Sequence, residues 1–275
     1  MSRTRDQAYL VGEQYKNADN LRARIDLHER FSSNKEVFAR WLFDQIIAPP
    51  EAKVLELGTG PAHFWRKNSE RIPQGWQITL SDLSPGMLEE AKKVGSSLMA
   101  DFDYKLIDAQ TIPFADAHFD LVIANHMLYH VPDLDKAIAE IRRVLKPGGK
   151  LYAATNGQDH MKELDQFILE HLKPKLDSEQ PFELLQGLSF RLENGKETLQ
   201  KQFDNVELYP FDDHLEVTEA EPFLAYIYSM NRLQSIVLDQ ALLAKVMQEA
   251  KVALDQKLEL GPIYVTKSTG LFAAF

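Results

Sequence analysis

Between residues 54 and 154, short apolar runs alternate with amphipathic segments, and this rhythm constrains the fold more than any other feature of the chain. Runs at 54–57, 76–80, 104–107, 119–124 and 150–154 read as strands. Residues 62–71, 84–94 and 134–145 carry helical spacing. Ser84 is placed to cap the second of these helices, with Pro85 at its first position. Pro147-Gly148-Gly149 stops the third. The β-α-β-α order predicts an α/β, doubly wound sheet whose central strands are parallel. Residues 6–47 are helical in character, with Leu21, Ile25, His28 and Phe31, then Val37, Trp41, Leu42 and Ile46, near helical spacing, and Pro49-Pro50 ends the section. Beyond Gly157 the rhythm loosens. Residues 161–172 read as a helix, and 181–203 as two short helices joined at 192–195. Residues 206–209 and 215–217 are candidate strands, 222–230 and 239–258 helices. Residues 263–267 and 270–274 form a closing strand interrupted at Ser268-Thr269-Gly270.

The first strand runs into V-L-E-L-G-T-G-P-A-H-F, where Gly58 and Gly60 let a ligand approach the backbone at a strand-to-helix turn. A plain tight turn explains a glycine pair equally well. Two facts shift the balance: the turn follows the first strand of an α/β alternation, and Asp82 ends the next strand, where a carboxylate accepts hydrogen bonds from both hydroxyls of a ribose. Glu56, two residues before Gly58, decides between nucleotides. It would repel a pyrophosphate in a partly dry cleft and attract an ammonium. A ribose, an ammonium and no phosphate together describe S-adenosylmethionine. Ala62 and His63 stand where a dinucleotide fold usually carries its later glycine.

The stretches E-L-G-T-G-P-A-H-F, S-D-L-S-P-G-M-L, D-A-Q-T-I-P-F-A-D-A-H-F-D-L-V-I-A-N-H-M-L-Y-H-V and I-R-R-V-L-K-P-G-G-K-L-Y-A-A-T-N-G, in this order over residues 53–157, resemble the class I S-adenosylmethionine-dependent methyltransferases. The subgroup they resemble is the ubiquinone/menaquinone-biosynthesis type and its small-molecule relatives. The resemblance implies a Rossmann-like, mainly parallel seven-stranded sheet with an antiparallel last strand. It implies a helical cap over residues 1–50, a cofactor-binding core over 51–156, a helical lid inserted after the fifth strand over 157–203, and completion of the sheet by 204–275. It further implies that Glu56, Gly58 and Gly60 line the methionine and sugar end, with Asn125 near the methionine portion. Asp82 would hold the ribose diol and Leu83 pack on the adenine. Asp108 would meet the adenine amino group, and the Ala109 amide a ring nitrogen. The family commonly has glycine at or beside position 62, and the methyl of Ala62 is expected to be tolerated at negative φ. The reaction implied is direct displacement at the sulfonium methyl by O, N or C of a small, partly apolar acceptor, leaving S-adenosylhomocysteine.

His126, Tyr129 and His130 follow the fourth strand and are the candidate catalytic residues. If the segment is helical, the two histidines share one face. They read as a general base, since imidazole titrates near neutrality, or as packing and pocket-lining groups. No third ligand stands near them, so no metal is expected. Arg24 falls on a stripe with His28 and Phe31 and could pair with the methionine carboxylate; a surface salt bridge is the alternative for Arg24 and for Arg22. Tyr9 and Tyr15 either close over the site or pack. Phe167, Phe182, Leu184, Leu185, Leu188 and Phe190 of the insertion either line an apolar acceptor pocket or pack as lid.

A net charge of −10 speaks against a broad nucleic-acid surface, and A-N-H-M after the fourth strand is unlike the tetrapeptide of base-amino methylation. The absence of cysteine excludes disulfides and thiolate chemistry. The opening M-S-R-T-R-D-Q lacks an apolar run, and no stretch is long enough to span a bilayer, so a cytoplasmic setting is expected. An NAD-linked oxidoreductase and a non-catalytic cofactor-binding sensor or scaffold are the competing readings.

Overall fold

The computed structural model describes residues 3–98, 100–176, 188–230 and 239–275. Seven strands form one sheet: β1 Lys53–Leu57, β2 Gln77–Asp82, β3 Phe102–Leu106, β4 Phe119–Asn125, β5 Leu145–Asn156, β6 Val206–Val217 and β7 Ile263–Ala274. Their order is β3-β2-β1-β4-β5-β7-β6. The strands from β3 to β5 are parallel, and β7 runs antiparallel to both β5 and β6. The expected doubly wound sheet with an antiparallel last strand is therefore present. The order reverses between β1 and β4, and at such a switch point the carboxyl ends of the strands open a crevice.

Helices α1 Asp19–Phe31 and α2 Phe38–Gln45 precede the sheet; α3 His63–Lys67, α4 Pro85–Gly95 and α5 Leu134–Val144 cross between strands. Later in the chain come α6 Lys162–Phe167, α7 Leu192–Gln200, α8 Ala220–Ser229 and α9 Gln240–Leu258. Period-two alternation sends strand residues to two cores. Leu55, Leu57, Val122 and Leu151 meet Ile138 and Ile141 of α5 on one face. Val54, Ile78, Leu121 and Ile123 meet Leu42, Trp65 and Ala91 on the other. A third cluster joins Leu27 and Phe31 of α1 to Phe223 and Ile227 of α8 and Leu243 and Leu254 of α9.

Several elements depart from expectation. β6 is one strand instead of two, because Pro210 sits in the edge strand, where its missing donor leaves no interior ladder bond unmade. β7 is uninterrupted: Ser268, Thr269 and Gly270 pair with Asp212, Phe211 and Pro210. Residues 192–195 open α7 and are not a joint between helices. Gly195 is there for packing, since a Cβ would lie 2.3 Å from the Phe272 ring. Phe167 and Phe190 are core residues, the second against Phe272. Phe182, Leu184 and Leu185 lie outside the described residues. No described helix is long and apolar enough to cross a membrane.

Candidate active site

A cavity of about 720 Å³ opens over the carboxyl ends of β1, β2, β4 and β5, roofed by α1 and the segment before it. The twelve residues expected to bind the cofactor or to act in catalysis line it: Glu56, Gly58, Gly60, Asp82, Leu83, Asp108, Ala109, Asn125, Arg24, His126, Tyr129 and His130.

The glycine turn is built around Glu56. Its carboxylate accepts from Thr59 Oγ1 and Trp65 Nε1 at 2.6 Å each and from Asn125 Nδ2 at 3.2 Å. Burial pushes it up to about 7, against the pull of these three bonds. Thr59 and Trp65, three and nine residues on, are partners the sequence reading missed. Gly58 has φ +67°, and a Cβ there would come 2.7 Å from Met127 Cβ, so both the turn and the close approach require glycine. Ala62 corrects the sequence expectation: its φ is +55°, in the left-handed region, and not negative. The strain is carried by a residue whose methyl is buried in the core beside α2 and α3.

Asp82 takes two backbone donors, Gly60 N–H at 2.9 Å and Ser84 N–H at 2.8 Å, which tie the ends of β1 and β2 together; burial raises it above the usual range. Ser84 caps α4 as expected and also donates to the Tyr15 carbonyl at 2.8 Å. Asp108 works against partial burial, yet backbone and side-chain bonds from Gln110 and one from Gln7, at 3.1 Å, bring it below the usual range.

The segment before α1 fastens over this floor. His130 Nδ1 faces the Thr4 carbonyl at 2.8 Å, so that nitrogen carries the proton, and Nε2 accepts from the Tyr15 hydroxyl at 3.0 Å. Burial holds His130 down to about 4. Residues 128–130 form a single 3-10 turn, and His126 has φ +52°, so the expected helical face shared by His126 and His130 does not form. Tyr129 is pushed well above its ordinary value by burial and packs edge-on to His130. Tyr15 thus belongs to the site; Tyr9 does not line the cavity.

Arg22 is the surface residue of the pair, bonded to Asp19 and Glu90. Arg24 turns inward. It donates to the Ser229 hydroxyl at 3.1 Å and carbonyl at 2.9 Å, faces Tyr15, Tyr226 and Tyr129, and meets no carboxylate among the described residues. Despite burial its pKa is raised, so it keeps its charge. Among the described residues no group of three or more His, Cys, Asp or Glu is arranged to hold a metal.

Asn125 supplies a direct test of fit for a cofactor. Its Nδ2 is spent on Glu56, and its Oδ1 is buried with no donor. An acceptor oxygen in that state suits an ammonium group. A carboxylate at the end of β2 suits a ribose, and a buried carboxylate under the turn does not suit a pyrophosphate.

The sheet order, the glycine turn and the carboxylate ending β2 define a Rossmann-like fold of the methyltransferase type. Residues 55–153 match the model of a methyltransferase domain. A ubiquinone/menaquinone biosynthesis C-methyltransferase of Psychromonas ingrahamii is 34% identical over 170 residues, 60% of this chain and 62% of that one. Its counterpart from Shewanella piezotolerans is 33% identical over 143 residues, 51% of each. The chain spans about half to two thirds of the length of these relatives. Phosphoethanolamine N-methyltransferase 2 of Haemonchus contortus, solved with S-adenosyl-L-methionine, superposes with a TM-score of 0.57 at 19% identity, covering 100% of this chain and 60% of that one, a likeness of fold alone. Over these residues the chain is similar to class I S-adenosylmethionine-dependent methyltransferases of the ubiquinone/menaquinone-biosynthesis type, and S-adenosylmethionine is the cofactor of that class.

Proposed function

We propose that this chain transfers a methyl group to a small molecule and that the cavity holds cofactor and acceptor side by side. The observation that carries the proposal is Asn125. Its bond to buried Glu56, with Oδ1 left unmatched, leaves the floor of the glycine turn short of a cationic donor and hostile to phosphate. This sets the NAD-linked reading aside.

In this reading Asp82 takes the ribose hydroxyls, Leu83 packs on the adenine, and Asp108 with the Ala109 amide recognises its edge. Glu56, Gly58, Gly60 and Asn125 receive the methionine end, and Arg24 its carboxylate, since that guanidinium meets no carboxylate among the described residues. Bound there, the cofactor supplies a methyl group already activated on sulfur. The protein's share is to orient the partners and exclude water, and the segment before α1 serves the second task. His130 acts through that segment as a positioning residue, since both its nitrogens are committed. His126 and Tyr129 face the acceptor. Residues 1–50 form the cap, 51–156 the cofactor core, 157–203 the lid, and 204–275 complete the sheet. The setting that fits this chemistry is cytoplasmic.

The test is incubation with methyl-labelled S-adenosylmethionine and fractionated metabolite pools. Label is expected in a small-molecule product with stoichiometric S-adenosylhomocysteine. Cofactor binding without transfer to any fraction would favour the sensor or scaffold reading instead.

A further inference from the structure

The half of the cavity under β4, β5 and β7 holds side chains that cofactor binding leaves without a task. His28 on α1, His126 after β4, His160 in the turn after β5 and Lys267 on β7 all line it. The rings of His28 and His160 stack at 6.0 Å, and Tyr226 meets His28 edge-on at 5.8 Å. His126 lies 5.5 Å from Phe38, Phe38 meets Phe211, and the Lys267 ammonium sits 5.8 Å over Phe211. The His160 turn is tied to β7 beside Lys267 by Gly157 N–H to the Ser268 carbonyl at 2.9 Å and Met161 N–H to the Thr266 carbonyl at 2.8 Å.

Two nitrogens of these rings have no hydrogen-bond partner among the described residues. Nδ1 of His28 and Nδ1 of His160 are buried with no partner, and His160 is only 7% exposed. Buried polar atoms are normally matched, and an unmatched group lining a cavity marks a place for a ligand.

Charge selects that ligand. Asp213 is the carboxylate that acts on His28, and it is spent on Lys267, Ser32, Ser33 and the Asn34 N–H. Glu29 pairs with Lys67, and Glu36 is exposed at the rim. A cation entering among the imidazoles finds no free carboxylate among the described residues, whereas an anion finds three rings able to take a proton, with Lys267 already paired to Asp213 behind them.

We propose that this half of the cavity is the acceptor subsite and that it takes an acceptor bearing an oxyanion, a carboxylate or a phosphate, held by His28, His126 and His160 beside Lys267. The word acceptor rests on the methyl-transfer reading; the ligand class rests on the cluster alone. Among the described residues the groups facing the three rings are Lys267, Asp213, Arg24, His130, Tyr226 and the rings themselves. Burial first, then Lys267 and the neighbouring rings, hold them neutral: His28 lies at about 3, His126 at about 4, and His160 well below its ordinary value. An oxyanion among them favours the charged form, so it binds with uptake of a proton.

The test is calorimetric titration of the chain saturated with S-adenosylhomocysteine, using benzoate and phenyl phosphate in buffers of different ionisation heat, with benzylamine as the cationic control. At least one anion is expected to bind with proton uptake, and the tighter arm identifies the oxyanion. His28→Asn and His160→Asn should each weaken that anion about tenfold or more, leaving S-adenosylhomocysteine affinity unchanged. If either variant fails to fold, the ring-proton titration of the wild-type histidines should move upward in pH when the anion is added. Preference for benzylamine, anion binding untouched by both variants, an unmoved histidine titration, or no anion binding overturns the proposal. Failure of the wild-type chain to bind S-adenosylhomocysteine overturns the cofactor reading instead, and the anion titration on the cofactor-free chain still decides the subsite.

Discussion

Glu56 does two things that conflict in the cofactor-free protein. Its carboxylate organises the glycine turn through Thr59 and Trp65, yet burial raises it from 4.5 to about 7. A folded-state pKa above the unfolded one means the native state holds the proton longer. The stability this contributes is full below about pH 4.5 and is lost as pH rises through about 7, a loss on the order of 3 kcal/mol. Glu56→Gln removes the titration, and Asn125 can turn its unmatched Oδ1 to meet the new amide. The variant is expected to melt above the wild type at pH 8 without cofactor and to bind S-adenosylmethionine more weakly. Melting curves across pH check the first expectation; a melting temperature that changes from pH 5 to pH 8 by the same amount in both proteins would contradict it. At this scale the sequence was informative. Glu56, the two glycines, Asp82, Asp108 and Asn125 sit in short local motifs at strand ends, so chain order alone brings them to one crevice. Ala62 was misjudged because the left-handed turn is imposed by packing around its methyl, which leaves no local mark in the residues beside it.

Among the elements, α7 and the segment before α1 make separable predictions. Gly195→Ala pushes a methyl into the Phe272 ring and should cost about 1–3 kcal/mol in a urea melt; an unchanged midpoint would show that the ring moves aside. The N-terminal segment is held by Gln7 on Asp108, Tyr15 on His130, His130 on the Thr4 carbonyl and Ser84 on the Tyr15 carbonyl. Deleting residues 1–16 should therefore speed release of S-adenosylhomocysteine about tenfold or more in stopped flow, through loss of bonds that close the cavity. An unchanged off-rate would mean the segment does not gate the site. Element positions were legible where periodicity was strong, from β1 to β4, whereas β5 starts at Leu145 and takes in Pro147-Gly148-Gly149, which had read as the stop after the helix. They were misread at β6 and β7, where Pro210, Ser268, Thr269 and Gly270 look like breaks but lie in strands whose long antiparallel pairing outweighs local preference.

For the whole molecule, the cavity's polarity comes from residues far apart in sequence. His28, His126, His160 and Lys267 reach it from α1, β4, β5 and β7. Only the antiparallel return of β7 puts Lys267 beside the His160 turn, so no spacing in the chain announces the cluster. Its burial has a global cost. His28, His126 and His130 titrate below their ordinary 6.5, so the stability they contribute is present above that pH and lost as pH falls towards 4. Glu56 acts in the opposite sense over part of this range, but His160 and His63 are lowered as well and add to the other three. The melting temperature should fall between pH 6.5 and 4, more shallowly in His126→Asn; equal slopes would show that the ring is not buried as described. The central claim, that the glycine turn and the carboxylate ending β2 hold S-adenosylmethionine, is tested most directly by calorimetry with S-adenosylmethionine and S-adenosylhomocysteine on the wild type and Asp82→Ala. Both ligands should bind at one site per chain, and Asp82→Ala should weaken both about tenfold or more while remaining folded. No binding to the wild type, or equal affinity in the variant, would contradict it.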